Sequence, residues 1–253
     1  MEKTTRASFG ADRNVLNFSL PRTWDELSQE ELGMVFRCKV RNEDPWQQKL
    51  ATLMHLTGLV IVRQEGQRWL CRVPTEQGLL HFRLDPEILP SVLERLNWLD
   101  NPGNVPVRPE RLHGAAALET CLHGVAYGTY LQCENCYQGV LQSHSEAAVD
   151  HLARLLYPGM QGQLAPWEQL AVIQWWTQLK AMFGSLFSYL FKIRDTDASP
   201  VDMADAMNNQ IRALTGGDVT KEDTILSTDT WRALTELDAK AREADELNRK
   251  IKK

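Results

Sequence analysis

The sequence predicts an α+β fold that is mainly α-helical, with a small antiparallel β-meander in the N-terminal part, then a helical part and a C-terminal helical arm. Three observations lead there. Apolar residues recur at three- and four-residue steps over most of the chain, which is the helical period. Between residues 59 and 84 that period gives way to short apolar, β-branched runs separated by turn residues. Proline and glycine then gather in Asn101-Pro102-Gly103-Asn104-Val105-Pro106 and at Pro109, the clearest break in the chain. The expected organisation is a flexible tail over 1–13, an α+β part over 14–100, a helical part over 108–195 and a helical arm over 196–253.

Each element has a local cause. Val15-Leu16-Asn17-Phe18 reads as a short extended piece. Thr23-Trp24-Asp25-Glu26 and Ser28-Gln29-Glu30-Glu31 both have capping-box spacing, in which the hydroxyl accepts a first-turn amide and the glutamate reaches back. The second box opens a helix carrying Leu32, Val35 and Phe36. Pro45 starts another helix through Trp46, Leu50, Leu53 and Met54, and Gly58 stops it. Leu59–Val62, Trp69–Val73 and Leu79–Leu84 are the three strands of the meander, with Glu65-Gly66 at the first turn. Asp85-Pro86-Glu87 caps a helix through Leu93, Leu96 and Leu99.

Beyond the break, helices are expected around 114–142 and 144–157, the second stopped by Pro158-Gly159. Pro166-Trp167-Glu168 opens a long helix to Phe191. Ser199-Pro200-Val201-Asp202 is a further capping box whose helix ends at Gly216. Thr220–Asp223 is a short capped helix, and Thr228-Asp229-Thr230 starts the last one.

Composition narrows the function. The chain has 253 residues, 43% of them hydrophobic and 24% charged, with a net charge of −5. That balance suits a globular protein and argues against a nucleic-acid partner, which normally meets a basic surface. No basic run exceeds Lys252-Lys253, so no polybasic membrane anchor is indicated. Five cysteines, an odd number, read as reduced thiols, and residues 1–16 lack the apolar core of a secretion signal. A cytoplasmic location follows as the expectation.

The aromatic segment admits three uses. Val172, Trp176, Leu179, Phe183, Leu186 and Leu190 form one stripe, widened by Ile173, Trp175, Met182, Phe187 and Phe191. Against a membrane span stands Lys180 at its middle, where insertion costs about 2.5–3.5 kcal/mol, together with Gln169, Gln174 and Gln178. Core helix and partner-binding face both stay open. Candidate partner-binding residues are Trp175, Trp176, Phe183 and Phe187 here, and Trp231, Leu234 and Leu237 on the narrow apolar line of the last helix. That line continues through Ala241, Ala244, Asn248 and Ile251 at a 3-4 spacing, which suits self-association or a helical client.

Cys121, His123, Cys133, Cys136, His144 and His151 crowd together, and Cys133-Glu134-Asn135-Cys136 has the two-residue spacing of zinc and redox sites. A second such pair is missing, and the surroundings read as continuous helix. Core thiols and no metal are therefore expected. The alternative is a small zinc protein centred on Cys133 and Cys136, completed by two of Cys121, His123 and His144. The chain has no G-x-S-x-G, phosphate-loop, dinucleotide or H-E-x-x-H motif, so no catalytic residue and no cofactor are expected.

Three stretches carry a resemblance: Leu20-Pro21-Arg22-Thr23-Trp24-Asp25-Glu26-Leu27-Ser28-Gln29-Glu30-Glu31-Leu32, then residues 208–218 (Asn208 to Asp218), then residues 230–243 (Thr230 to Glu243). Together they resemble bacterial prophage proteins that sit among tail genes and look like tail assembly chaperones. The resemblance implies a helical, non-enzymatic, cytoplasmic protein of the host cell. Such a protein binds the long tape-measure protein or another tail protein, delivers it to the growing tail tube, and is absent from the finished particle. A structural tail or connector component of the virion is the alternative.

Overall fold

The computed structural model describes residues 8–9, 16–42, 44–143, 145–192 and 203–251. The chain divides into two compact units, Met1–Gly103 and Asn104–Lys253, within the proline- and glycine-rich segment. It is mainly helical, with a small antiparallel sheet in the N-terminal unit.

In the N-terminal unit, β1 (Ser8–Phe9) pairs antiparallel with β2 (Leu16–Asn17). Part of the expected tail is thus ladder backbone; the rest of residues 1–13, and Val15, lie outside the described residues. The two capping boxes part ways. At Thr23 no side-chain cap forms, and Glu26 Oε2 instead accepts the Arg22 amide at 2.8 Å around a single 3₁₀ turn, Trp24–Glu26. Burial of Trp24 decides this. Its ring is 4% exposed, stacks on Phe36 at 5.5 Å and meets Trp98 edge-on at 5.1 Å, while Nε1 donates to the Asn101 carbonyl at 2.8 Å.

At Ser28 the box forms in full, with the Ser28 amide on Glu31 Oε2 (2.8 Å) and the Glu31 amide on Ser28 Oγ (3.3 Å). It opens α1 (Gln29–Arg41), which buries Leu32, Val35 and Phe36. Asp44 caps α2 (Pro45–Thr57), and Gly58 ends it in the left-handed region at φ 68°.

The sheet runs in the order β3 (Val60–Glu65), β4 (Arg68–Thr75), β5 (Gly78–Leu84). Cys71 lies opposite Ile61 and Phe82, and a bulge falls between Ile61 and Arg63. Side chains alternate along β4, with Cys71 and Val73 buried and Arg72 and Pro74 exposed. Pro74 is tolerated in the central strand because β3 begins only at Val60, opposite Arg72, leaving no ladder bond to β3 at Pro74 to lose.

The helix expected after Asp85 is a sequence of tighter pieces: a 3₁₀ turn at Pro86–Ile88, α3 (Leu89–Leu93) and a 3₁₀ stretch at Glu94–Asp100. Pro86 and Pro90 each withdraw an amide donor from a regular helix. Leu89, Leu93, Leu96 and Leu99 still reach the core.

The C-terminal unit begins with a hairpin where helix was expected. β6 (Arg111–Leu112) and β7 (Ala115–Ala116) are joined through His113 and Gly114, both at positive φ (48° and 82°), the backbone of a two-residue primed turn. Leu122 (φ 65°) and Gly124 (φ 74°) keep the chain irregular to residue 126. Helix starts only at α4 (Tyr127–Ser143), followed by α5 (Glu146–Leu156) and α6 (Pro166–Leu186).

α6 stops five residues short of Phe191 because the Tyr189 and Leu190 amides donate to Asp238 Oδ1, each at 2.9 Å. The Ser199–Asp202 box lies outside the described residues. α7 (Met203–Thr215) ends at Gly216 (φ 65°), and α8 (Glu222–Leu226) leads to α9 (Thr230–Ile251). The expected arm is only partly an arm, since Ala233, Leu234 and Leu237 of α9 are buried in the same core as α4, α5 and α6. Among the described residues no helix is long and apolar enough to cross a membrane.

Gly58 is the tightest joint of the N-terminal unit. A Cβ there would lie 2.8 Å from Pro74 Cγ and 2.9 Å from Cδ, on a backbone already at positive φ. Gly58→Ala is expected to lower stability by about 1–3 kcal/mol. In urea unfolding of the full chain, Gly58→Ala/Pro74→Ala should recover the steric part of that loss.

Candidate functional site

α6 lies at the centre of the C-terminal core, and its aromatic residues from Trp175 onward face inward. Trp175 and Trp176 are fully buried, and Phe183 and Phe187 nearly so. The indole N–H groups find acceptors: Trp175 on the Thr120 carbonyl at 2.8 Å, Trp176 on Glu134 Oε2 at 3.1 Å. Trp231 of α9 donates to the Cys121 carbonyl at 2.7 Å, stacks on the His123 ring at 4.3 Å, and meets Phe183 and Phe187 edge-on. Leu234 and Leu237 are buried.

This corrects the expected binding surface. Trp175, Trp176, Phe183, Phe187, Leu234 and Leu237 are brought together, but as core, and Trp231 is only partly exposed within its aromatic box. A helix apolar nearly all round finds its partners inside its own unit.

A polar node sits in this core. Glu134, buried on α4, accepts from Lys180 Nζ (2.5 Å), Gln138 Nε2 (2.8 Å) and Trp176 Nε1. Lys180 Nζ also lies 5.7 Å from the Tyr137 ring centroid, and the Tyr137 hydroxyl bonds that of Thr177 at 3.0 Å. Sequence reasoning missed this node although a signal existed, because Lys180 is the only charge between Glu168 and Lys192.

The cysteines and histidines do not converge. Cys133 is fully buried, and desolvation pushes its thiol far above the usual range; burial also raises Cys136 and Cys121. A thiol held protonated is a poor nucleophile and a poor metal ligand. Cys121 offers its backbone carbonyl, and His123 its ring face, to Trp231. His151 is exposed on α5, and His144 lies outside the described residues. Among the described residues no three His, Cys, Asp or Glu side chains group to hold a metal ion.

His113, at the tip of the β6–β7 hairpin, is a second missed residue. Its Nδ1 lies 2.7 Å from the Gln161 carbonyl and its Nε2 3.0 Å from Glu168 Oε2. Two acceptors on one ring favour the doubly protonated imidazolium. The Gln161 carbonyl, then Glu168, lift its pKa above the ordinary 6.5. The only local hint was a His-Gly pair in place of the commoner Asn-Gly turn.

Two surface features complete the unit. A shallow cleft of about 670 Å³ between α7, α8 and α9 is lined by Leu214, Ile225, Thr228, Arg232, Ala233, Thr235 and Glu236. Beyond Leu237, α9 leaves the core: Ala244 is exposed, Leu247 is 60% exposed and Ile251 74%. Comparison with protein-family models, curated proteins and solved structures gave no match.

Glu134→Ala strands the Trp176 N–H and the Lys180 ammonium and is expected to cost about 3 kcal/mol, read as a lowered urea midpoint. Glu134→Gln should cost less, because an amide oxygen still accepts. For His113 the folded pKa is raised, so its stabilisation is complete below the unfolded value near 6.5 and is lost as pH rises through the folded value. The melting temperature of the protein should therefore fall more steeply across that window than that of His113→Asn, which tolerates the same backbone without titrating.

Proposed function

We propose that this chain is a non-enzymatic assembly protein that binds a helical client, and that it serves as a tail assembly chaperone acting on the tape-measure protein in the bacterial cytoplasm. The observation that supports this is a convergence. Residues 208–218 and 230–243, two of the stretches that carry the resemblance, meet at one cleft, supplying Leu214 on one side and Arg232, Ala233, Thr235 and Glu236 on the other. The other support is the end of α9. The helix continues for 14 residues beyond Leu237 (251 − 237), about 21 Å at the helical rise. Ala244, Leu247 and Ile251 follow one another there at three- and four-residue steps.

A helix tip of this length, with its apolar residues in water, is marginal on its own and gains from a partner's groove. Leu247 and Ile251 would each contribute about 1.5–3 kcal/mol on full burial. The apolar seam for the client is thus Ala244, Leu247 and Ile251, in place of the buried aromatic residues of α6.

Leu247→Glu/Ile251→Glu is expected to weaken capture of a co-expressed tape-measure fragment at least ~10-fold, about 1.4 kcal/mol, with an unchanged unfolding midpoint. Equal capture by the variant would remove the α9 tip from the binding surface. Detection of the chain in purified particles would replace the chaperone role with a structural one.

A further inference from the structure

The β-sheet of the N-terminal unit has an outer face whose chemistry differs from that of the chain as a whole. The strand register places Val60, Arg72 and His81 in one row across β3, β4 and β5. Arg63, Leu70 and Arg83 form the next row, Glu65 and Arg68 a third, and Pro74 and Leu79 a fourth. All but Leu70 and Glu65 are exposed. The face thus holds four arginines and one histidine against a single glutamate, in a chain of net charge −5.

Glu65 is already shared, taking Arg63 Nη2 at 2.5 Å and Arg83 Nε at 3.0 Å. Arg68 and Arg72 have no ion-pair partner among the described residues. No two arginines lie directly opposite one another and Arg68 faces Glu65, so the cost of the face is the longer-range self-repulsion of four cations held on one small surface.

Two further features indicate what would offset that cost. Every permanent cation on the face is arginine, whose planar fork matches a carboxylate with two parallel hydrogen bonds where lysine offers a point charge. Between the arginines lie Val60, Leu70 and Leu79, and the face carries no Trp, Tyr or Phe, His81 being its one ring. Trp69 and Phe82 alternate onto the opposite side, so the row of large aromatic rings on which successive nucleic-acid bases stack is not on this face.

We infer that this outer face docks an acidic, partly apolar segment of a partner protein. Arg68 and Arg72 receive its carboxylates, and Val60, Leu70 and Leu79 receive its apolar side chains. The site belongs to the other unit from the α9 tip and stands whether or not the tail reading does.

The test uses the full chain and a fluorescent peptide of alternating Glu and Leu, with a Gln-for-Glu peptide and a short single-stranded oligonucleotide of matching charge as the other arms. The Glu peptide should bind and the Gln peptide should not. Arg68→Glu/Arg72→Glu should weaken binding at least ~10-fold with an unchanged unfolding midpoint, and Glu65→Gln should tighten it by freeing Arg63 and Arg83. Arg154→Glu/Lys221→Glu makes the same charge change in the C-terminal unit and should leave binding unaltered. Equal losses in the two double variants, no binding of the Glu peptide, or tighter binding of the oligonucleotide would each overturn the assignment.

Discussion

Buried indoles organise both units, because an indole N–H taken out of water without an acceptor costs about 1–3 kcal/mol, a cost that Trp98 Nε1 bears. Four tryptophans avoid it through distant acceptors: Trp24 with Asn101, Trp175 with Thr120, Trp176 with Glu134 and Trp231 with Cys121. Two of those acceptors are consecutive carbonyls, Thr120 and Cys121, so one turn serves both α6 and α9. That turn is itself held by Glu119, which accepts the Cys121 and His123 amides at 2.8 Å each. It is tied to the start of α9 as well, where Asp229 takes the Gly124 amide at 2.6 Å and the Thr230 hydroxyl donates to the Val125 carbonyl at 2.7 Å. The irregular stretch 117–126 is thereby a fixed part of the core.

This arrangement explains which apolar surface is left for another molecule. Once α6 has been enclosed by α4, α5 and the first turns of α9, Trp175, Trp176 and Phe183 have no outward face. What stays in water is smaller and lies elsewhere: the last turns of α9, the cleft beside its base, and the arginine-rich side of the sheet. A chain with so many rings invites the reading that the rings do the binding. Here they hold the scaffold, and the exposed surfaces at the end of α9 and on the sheet are built from leucine, isoleucine, alanine and arginine.

What the sequence made legible was local. The Ser28 box, the Pro45 start, Gly58, the three meander strands and Gly216 each depend on residues a few positions apart, and the structure contains them all. The departures have remote causes. Thr23 shares the spacing of Ser28, but burial of Trp24 overrides it. The end of α6 is set by Asp238, far along the chain. The 111–116 hairpin escaped because two-residue strands have no period to read. For the candidate site, the residue types were visible but not their orientation: an apolar line on α9 is the same string whether Leu234 faces the core or Leu247 faces water.

The same distinction accounts for the ion pair between buried Glu134 and half-buried Lys180 in the C-terminal unit. Hydrophobic stripes alone fix the register of one helix on another weakly, since a shift of one turn, about 5.4 Å, exchanges one apolar contact for another. Glu134 and Lys180 remove that freedom. In the native register the carboxylate meets the ammonium, the Trp176 N–H and the Gln138 amide; one turn away, the buried carboxylate would be left without partners, at several kcal/mol. The Cys-x-x-Cys spacing around Glu134 then has a structural origin. Cys133 supplies a small buried side chain next to the carboxylate, Cys136 packs at the edge of the same core, and the pair marks where α4 is keyed to α6.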